Sequence, residues 1–288
     1  MSDFWAGREL WRDPLLAGVL AAALLSYLGV FVVLKRMVFV SAAISQISGF
    51  GVAVAFWVGA AAGTDPHAHG PVPLFLEPTW FSLVFACGAA AIFSLRPAQQ
   101  RLAPETVVAL GYVAASASVL AILNSPRIAQ EAHAVGDILF GNAVVVPPEQ
   151  IRALAGAGVA VLGVHALFFK EMLYVGYDPE TAQVQGVGVV RYEVLHNVAT
   201  AVVISVATRA VGALPVFAFT VIPAAAALLL TDRFRHAVAL SVAFGVLAAA
   251  VGYYVSWVAA MPTGATMVVV SCAFLLPGLL RLARRRNG

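Results

Sequence analysis

A chain of 288 residues that is 61% hydrophobic and 11% charged, with a mean hydropathy of +0.92, holds more apolar surface than one soluble core can bury, so a soluble globular protein is excluded. The net charge of +3 is small, and neither of the two lysines, Lys35 and Lys170, ends a G-x-x-x-x-G-K-[ST] phosphate loop, so the chain has no Walker A site of its own. Cys87 and Cys272 lie in apolar runs and suggest neither a disulfide framework nor a thiolate metal cluster.

From the N-terminus, DFWAGRELW sets Phe4, Trp5, Leu10 and Trp11 among charges, the composition of a short helix lying in the membrane interface over residues 1–13. No cleaved signal is expected, because the first apolar run opens too late and is too long to be an h-region. Runs long enough to cross a bilayer follow near 14–34, 38–61, 80–95, 105–124, 151–169, 192–210, 213–231, 236–259 and 264–282. They predict an all-α polytopic membrane protein of about nine crossings, a single transmembrane domain over 1–288. The alternative is eight crossings plus a re-entrant piece at 213–231, where Pro215 and Pro223 interrupt the run and free backbone carbonyls.

The second run, VFVSAAISQISGFGVAVAF, is sided by residue size. Four-residue spacing places Ser41, Ser45, Gly49 and Ala53 on one face with Ser48 beside them, while Val40, Ile44, Ile47 and Val54 form an opposite face suited to lipid. A small, weakly polar face either packs closely on a neighbouring helix or lines a wet cavity, and both readings stand. In the loop that follows, TDPHAHG alternates Asp65, His67 and His69, ligand types that hold a divalent cation weakly; the plain alternative is a solvated loop with incidental histidines. Pro147 and Pro148 mark the start of the fifth run.

Between the fifth and sixth runs, GYDPETAQVQGVGVVR carries both ends of a short helix. Asp178 suits the N-cap, Pro179 the first helical position and Glu180 the first turn, and Gly186 suits a left-handed C-cap, which predicts a helix of about two turns from Pro179 to Gln185. Capped at both ends, it reads as a docking element. With nine crossings and the N-terminus outside, twelve of the 17 basic residues fall inside, and the tail RLARRR puts the C-terminus in the cytoplasm.

Three stretches, YDPETAQVQGV at 177–187, VGALPVFAFTVIPAAAA at 211–227 and LFGNAVVVPPEQ at 139–150, resemble the permease subunits of bacterial ABC importers for zinc, manganese and iron. The resemblance implies a type II-like importer fold in the bacterial cytoplasmic membrane. It implies a second permease copy as partner, a cytoplasmic ABC ATPase that binds ATP and Mg, and an extracytoplasmic solute-binding protein. No cofactor on this chain and no nucleic-acid partner are expected. By the same likeness 178–187 is the coupling helix, with Asp178, Pro179, Glu180, Ala182 and Gly186 matching the family pattern. The family's second span carries Gly-Asp-Ala-Ile-Ser-His; here the register reads SAAISQ, so Ala42 replaces the acid and Gln46 the imidazole. Ser41, Ala42, Ser45, Gln46 and Gly49 are therefore placed beside the route by position, without the family's two metal ligands.

An ion-coupled secondary transporter is the competing function. Such proteins keep ionisable groups near the bilayer midplane, whereas here Glu193 and Asp137 lie toward loops and His165 alone is a midplane candidate. An intramembrane hydrolase finds no H-E-x-x-H and no Ser/His/Asp grouping by spacing.

Overall fold

The computed structural model describes residues 8–61, 77–95, 102–128, 136 and 146–286. The described residues form helices, in order α1 (Arg8–Leu34), α2 (Val38–Ala61), α3 (Pro78–Leu95), α4 (Pro104–Leu123), a 3₁₀ turn (Pro126–Ile128), α5 (Pro148–Leu167), α6 (Phe169–Tyr177), α7 (Pro179–Val184), α8 (Val189–Val211), α9 (Ala213–Leu230), α10 (Phe234–Ala259), α11 (Thr263–Ala273) and α12 (Leu275–Arg286). Four of them, α3, α4, α5 and α7, open on proline, whose fixed φ suits the first turn and whose missing N–H is not needed there. Among the described residues nine segments are long and apolar enough to span a membrane, the ninth running from Thr263 to Arg281 across the join of α11 and α12. Helix α1 extends back through Pro14 to Arg8 without a break and Trp11, where the first span begins, is buried, so residues 8–13 are continuous with that span; residues 1–7 of the expected interfacial segment lie outside the described residues.

Helices α1, α2 and α8 are each 67% buried across their apolar windows, and α4 only 17%, so the first three form the centre and α4 a flank against α2. The central helices approach closely because their contact faces are small. An added Cβ at Gly29 of α1 would lie 1.8 Å from the Thr220 carbonyl oxygen of α9, and one at Gly51 of α2 would lie 2.8 Å from the Phe81 carbonyl oxygen of α3. Neither site admits a side chain without moving backbone.

Segment 213–231 is one continuous helix, not a broken or re-entrant piece. Its 18 residues reach about 27 Å at 1.5 Å per residue. Pro215 falls in the first turn, where no donor is required. Pro223 leaves the Phe219 carbonyl without its helical partner, and Ser26 Oγ of α1 donates to that oxygen at 3.2 Å. Ser241 Oγ of α10 in turn donates to the Ser26 carbonyl at 2.8 Å. Two serines on neighbouring helices thus stabilise the proline.

The α2 surface departs from the sequence expectation. Val40 and Ile44, assigned to lipid, are 7% and 1% exposed. Helix α2 is surrounded by α3, α4, α8 and α9, and an apolar face meets protein here as readily as lipid.

Candidate functional site

Three features stand out: a lateral groove beside α2, a charged cavity at one end of α2, and the short helix α7, which packs on α6 and α8. The groove has a volume of about 370 Å³ and lies between α2, α4 and α9, lined by Phe39, Ala42, Ser45, Gln46, Tyr112 and Leu214 with their neighbours Val108, Ala109, Val113, Ala213 and Phe217. Of the residues placed along a route by sequence position, Ala42, Ser45 and Gln46 line it. Ser41 and Gly49 do not: Ser41 Oγ donates to the Val38 carbonyl of its own helix at 2.7 Å, and Gly49 is buried. Ser45 serves both readings, lining the groove and donating to the Ala213 carbonyl at 3.0 Å. Ser48 belongs to packing alone, in a hydroxyl chain from Ser48 to Ser82 to Ser205 with both steps 2.8 Å, which ties α2 to α3 and α8.

Among the described residues the groove lining offers one hydroxyl from Ser45, one carboxamide from Gln46 and the Tyr112 phenol, with no carboxylate, imidazole or thiol. Such a surface contacts a hard cation weakly through neutral oxygen and suits a cation that brings its own ligands. Among the described residues no group of three or more His, Cys, Asp or Glu side chains could hold a metal ion. Asp65, His67 and His69 lie outside the described residues.

Phe39 and Val108 also line a second cavity of about 580 Å³, bounded by the α1–α2 turn, the start of α4, the end of α6, Pro179 and Glu193. This vestibule is charged, with Lys35, Arg36, Glu105 and Glu193 in its lining. Burial lowers the Lys35 ammonium to about 8, with the Glu193 carboxylate partly opposing the shift. Behind it, His165 of α5 and His196 of α8 are fully buried, with His165 Nε2 and His196 Nδ1 3.4 Å apart and the edges of Tyr27 and Phe31 against the His165 ring. Sequence reasoning treated His165 as solitary. Its partner was signalled only by position, since His196 stands one turn after Glu193 on the same side of α8.

Helix α7 has the expected caps. Asp178 accepts from the Thr181 amide at 3.0 Å and from its hydroxyl, which holds the carboxyl below its usual range. At the other end Gly186, with φ 82°, donates to the Gln183 carbonyl and Val187 to the Ala182 carbonyl, both at 3.0 Å, the paired bonds of a Schellman termination. The helix ends at Val184, one residue before the expected Gln185. Ala182, placed by sequence at the docking contact, is fully buried against the chain itself. Asp178, Pro179, Glu180 and Gly186 are exposed, and Val184, missed by sequence reasoning, presents an apolar side chain 88% exposed.

A family model described as the ABC 3 transport family matches residues 8–281. The chain is 27% identical to the manganese import system permease protein ScaB of Streptococcus pneumoniae, over 96% of this chain and 92% of that one. It is 26% identical to the manganese transport system membrane protein MntC of Halalkalibacterium halodurans, over 90% and 83% respectively. Among solved structures, PsaBC from Streptococcus pneumoniae in complex with Fab superposes with a TM-score of 0.80 at 23% identity, covering 96% of this chain and 94% of that one. With its model matched almost end to end, this chain belongs to the ABC 3 transport family.

Proposed function

We propose that the chain is the permease subunit of an ATP-driven importer for a divalent metal ion or a metal complex. The observation that carries the reading is the family match over 8–281 together with relatives named for manganese import. In this reading α7 docks in a cytoplasmic ATPase through Val184, and ATP and Mg are held by that partner. An extracytoplasmic solute-binding protein delivers cargo at the opposite end. A second copy of the chain covers the groove, which is open at the side through Phe39, Val113 and Leu214, 68%, 61% and 41% exposed, and so turns it into a passage. The Lys35 end of the bundle is then cytoplasmic. The groove donors favour cargo whose coordination is already largely filled, by water or by a chelator.

The test is reconstitution with the partner ATPase in proteoliposomes, following ATP-dependent uptake of manganese and zinc, free and chelated. Uptake that needs the permease, the ATPase and ATP is the expected outcome. Uptake driven by a proton or sodium gradient without ATP would replace this reading with a secondary transporter.

A further inference from the structure

The vestibule sets two carboxylates, Glu105 and Glu193, against two cations, Lys35 and Arg36. Glu193 is 6% exposed, and Lys35 Nζ, in the same cavity lining, is buried without a hydrogen-bond partner among the described residues. Arg36, in the turn two residues past the end of α1, sits at φ 56°, a left-handed position that glycine occupies at lower cost. The Arg36 and Met37 amides reach back to the Val33 and Val32 carbonyls at 3.0 and 3.1 Å, so this tight reversal holds adjacent basic residues at the cavity wall.

Position along the route matters here. Phe39 and Val108 wall both cavities, so a cation leaving the groove toward this end enters the vestibule and meets Glu105 and Glu193. Two carboxylates in a partly dehydrated cavity bind a divalent cation through hard oxygen donors, which would make the vestibule a trap. An opposite charge in the same cavity stabilises a buried carboxylate, and Lys35 shares the cavity lining with Glu193.

We infer that Lys35 is a release residue: its ammonium supplies the positive charge beside Glu193 that a divalent cation would otherwise supply, so cargo passes through the vestibule without lodging. The inference rests on the metal-importer reading. The lysine is also placed to follow the ATPase. An added Cβ at Gly176 of α6 would lie 3.8 Å from Lys35 Cε, and Gly176 stands two residues before Asp178, the cap of α7. Displacement of α6 and α7 therefore bears on the lysine stem. His165 and His196 lie within electrostatic range of the same ammonium from α5 and α8.

The test compares wild type with Lys35→Gln, Lys35→Arg and the double variant Lys35→Gln/Glu193→Gln, each purified with its ATPase in nanodiscs. Equilibrium dialysis against radioactive manganese alone reads binding, and proteoliposome uptake reads turnover. Lys35→Gln is expected to bind manganese at least about tenfold more tightly than wild type and to take it up several-fold more slowly. Lys35→Arg and the double variant should bind like wild type. Lys35→Met keeps the stem and replaces Lys35→Gln if that complex does not assemble. Wild-type binding by Lys35→Gln would overturn the inference, because removal of the ammonium then opens no cation site at Glu193. Equal gain in Lys35→Arg would also overturn it, because shape and not charge would be responsible. A wild-type complex that moves no metal with ATP removes the importer reading, and the dialysis comparison still decides whether Lys35 excludes a cation from Glu193.

Discussion

At Lys35 the pH dependence has a definite sign. Its ammonium is lowered from 10.5 to about 8 by burial. Below about pH 8 the lysine is charged in both the folded and the unfolded chain, and the cost of burying it is full. Between about 8 and 10.5 the unfolded chain holds a proton that the folded chain has released, so stability rises with pH across that window. Glu193, Glu105 and Arg36 share the cavity, with His165 and His196 behind, and their common background is removed by comparing wild type with Lys35→Met. Thermal unfolding in detergent should show wild type gaining roughly 2 kcal/mol on the variant between pH 8 and 10.5, after discounting for screening. A constant difference would mean that the ammonium is better solvated than its burial implies. In the groove, Ala42→Asp with Gln46→His places two ligands one turn apart on α2 and should strengthen manganese binding, with a pH dependence set by the new imidazole. If the purified protein gains no affinity and loses much thermal stability, that face is dry packing. These two positions were legible in the sequence because their spacing is local. The meeting of Lys35 with Glu193, and of His165 with His196, was not, because tertiary packing of α1, α5 and α8 creates both.

The same division between local and tertiary signals runs through the elements. The ends of α7 were readable because Asp178 and Gly186 act on backbone within a few residues. Which side of α7 faces outward was not readable, since that depends on what covers Ala182. The lipid assignment of Val40 and Ile44 failed for a related reason: lipid and protein interior are both apolar, so hydrophobicity alone does not separate them. Val184→Asp should abolish co-purification with the ATPase while leaving the permease monodisperse, because it adds charge to an exposed apolar contact without touching the fold. Retained co-purification would move the docking surface elsewhere. The α1–α9 crossing makes a separate prediction. Ser26→Ala leaves the Phe219 carbonyl beside Pro223 without a donor and should cost about 1–2 kcal/mol by unfolding in detergent. Gly29→Ala, which drives a methyl into the Thr220 carbonyl, should be far worse and yield little folded protein. If Gly29→Ala is as stable as wild type, the two helices do not approach as described.

Across the whole molecule, the number of spans was legible because each apolar run is close to one bilayer thickness, and their order around α1, α2 and α8 was not, because nothing in a run names its neighbours. Orientation follows from parity and charge. Lys35, Arg36, Lys170, Arg191, Arg233, Arg235, Arg281, Arg284, Arg285 and Arg286 lie at the helix ends that share the vestibule side, whereas Arg8, Arg12, Arg127, Arg152 and Arg209 lie at the other, where Arg209 reaches Glu77 at 3.5 Å and also bonds Thr79. By the positive-inside rule this excess favours the vestibule end, with α7, as the cytoplasmic one, and that orientation belongs to the proposed importer reading. Gln185 follows α7 at that end, and Met261, in the turn between α10 and α11, stands at the opposite end; both are exposed. Single cysteines at these positions, in a background lacking Cys87 and Cys272, should respond oppositely to an impermeant thiol reagent on intact cells. The cysteine at Met261 should label at once, and the one at Gln185 only after the membrane is opened. The reverse pattern would invert the protein and place α7 away from any cytoplasmic ATPase. Equal labelling of intact cells would require an even number of crossings between the two sites, whereas the helices between Gln185 and Met261, α8, α9 and α10, supply three.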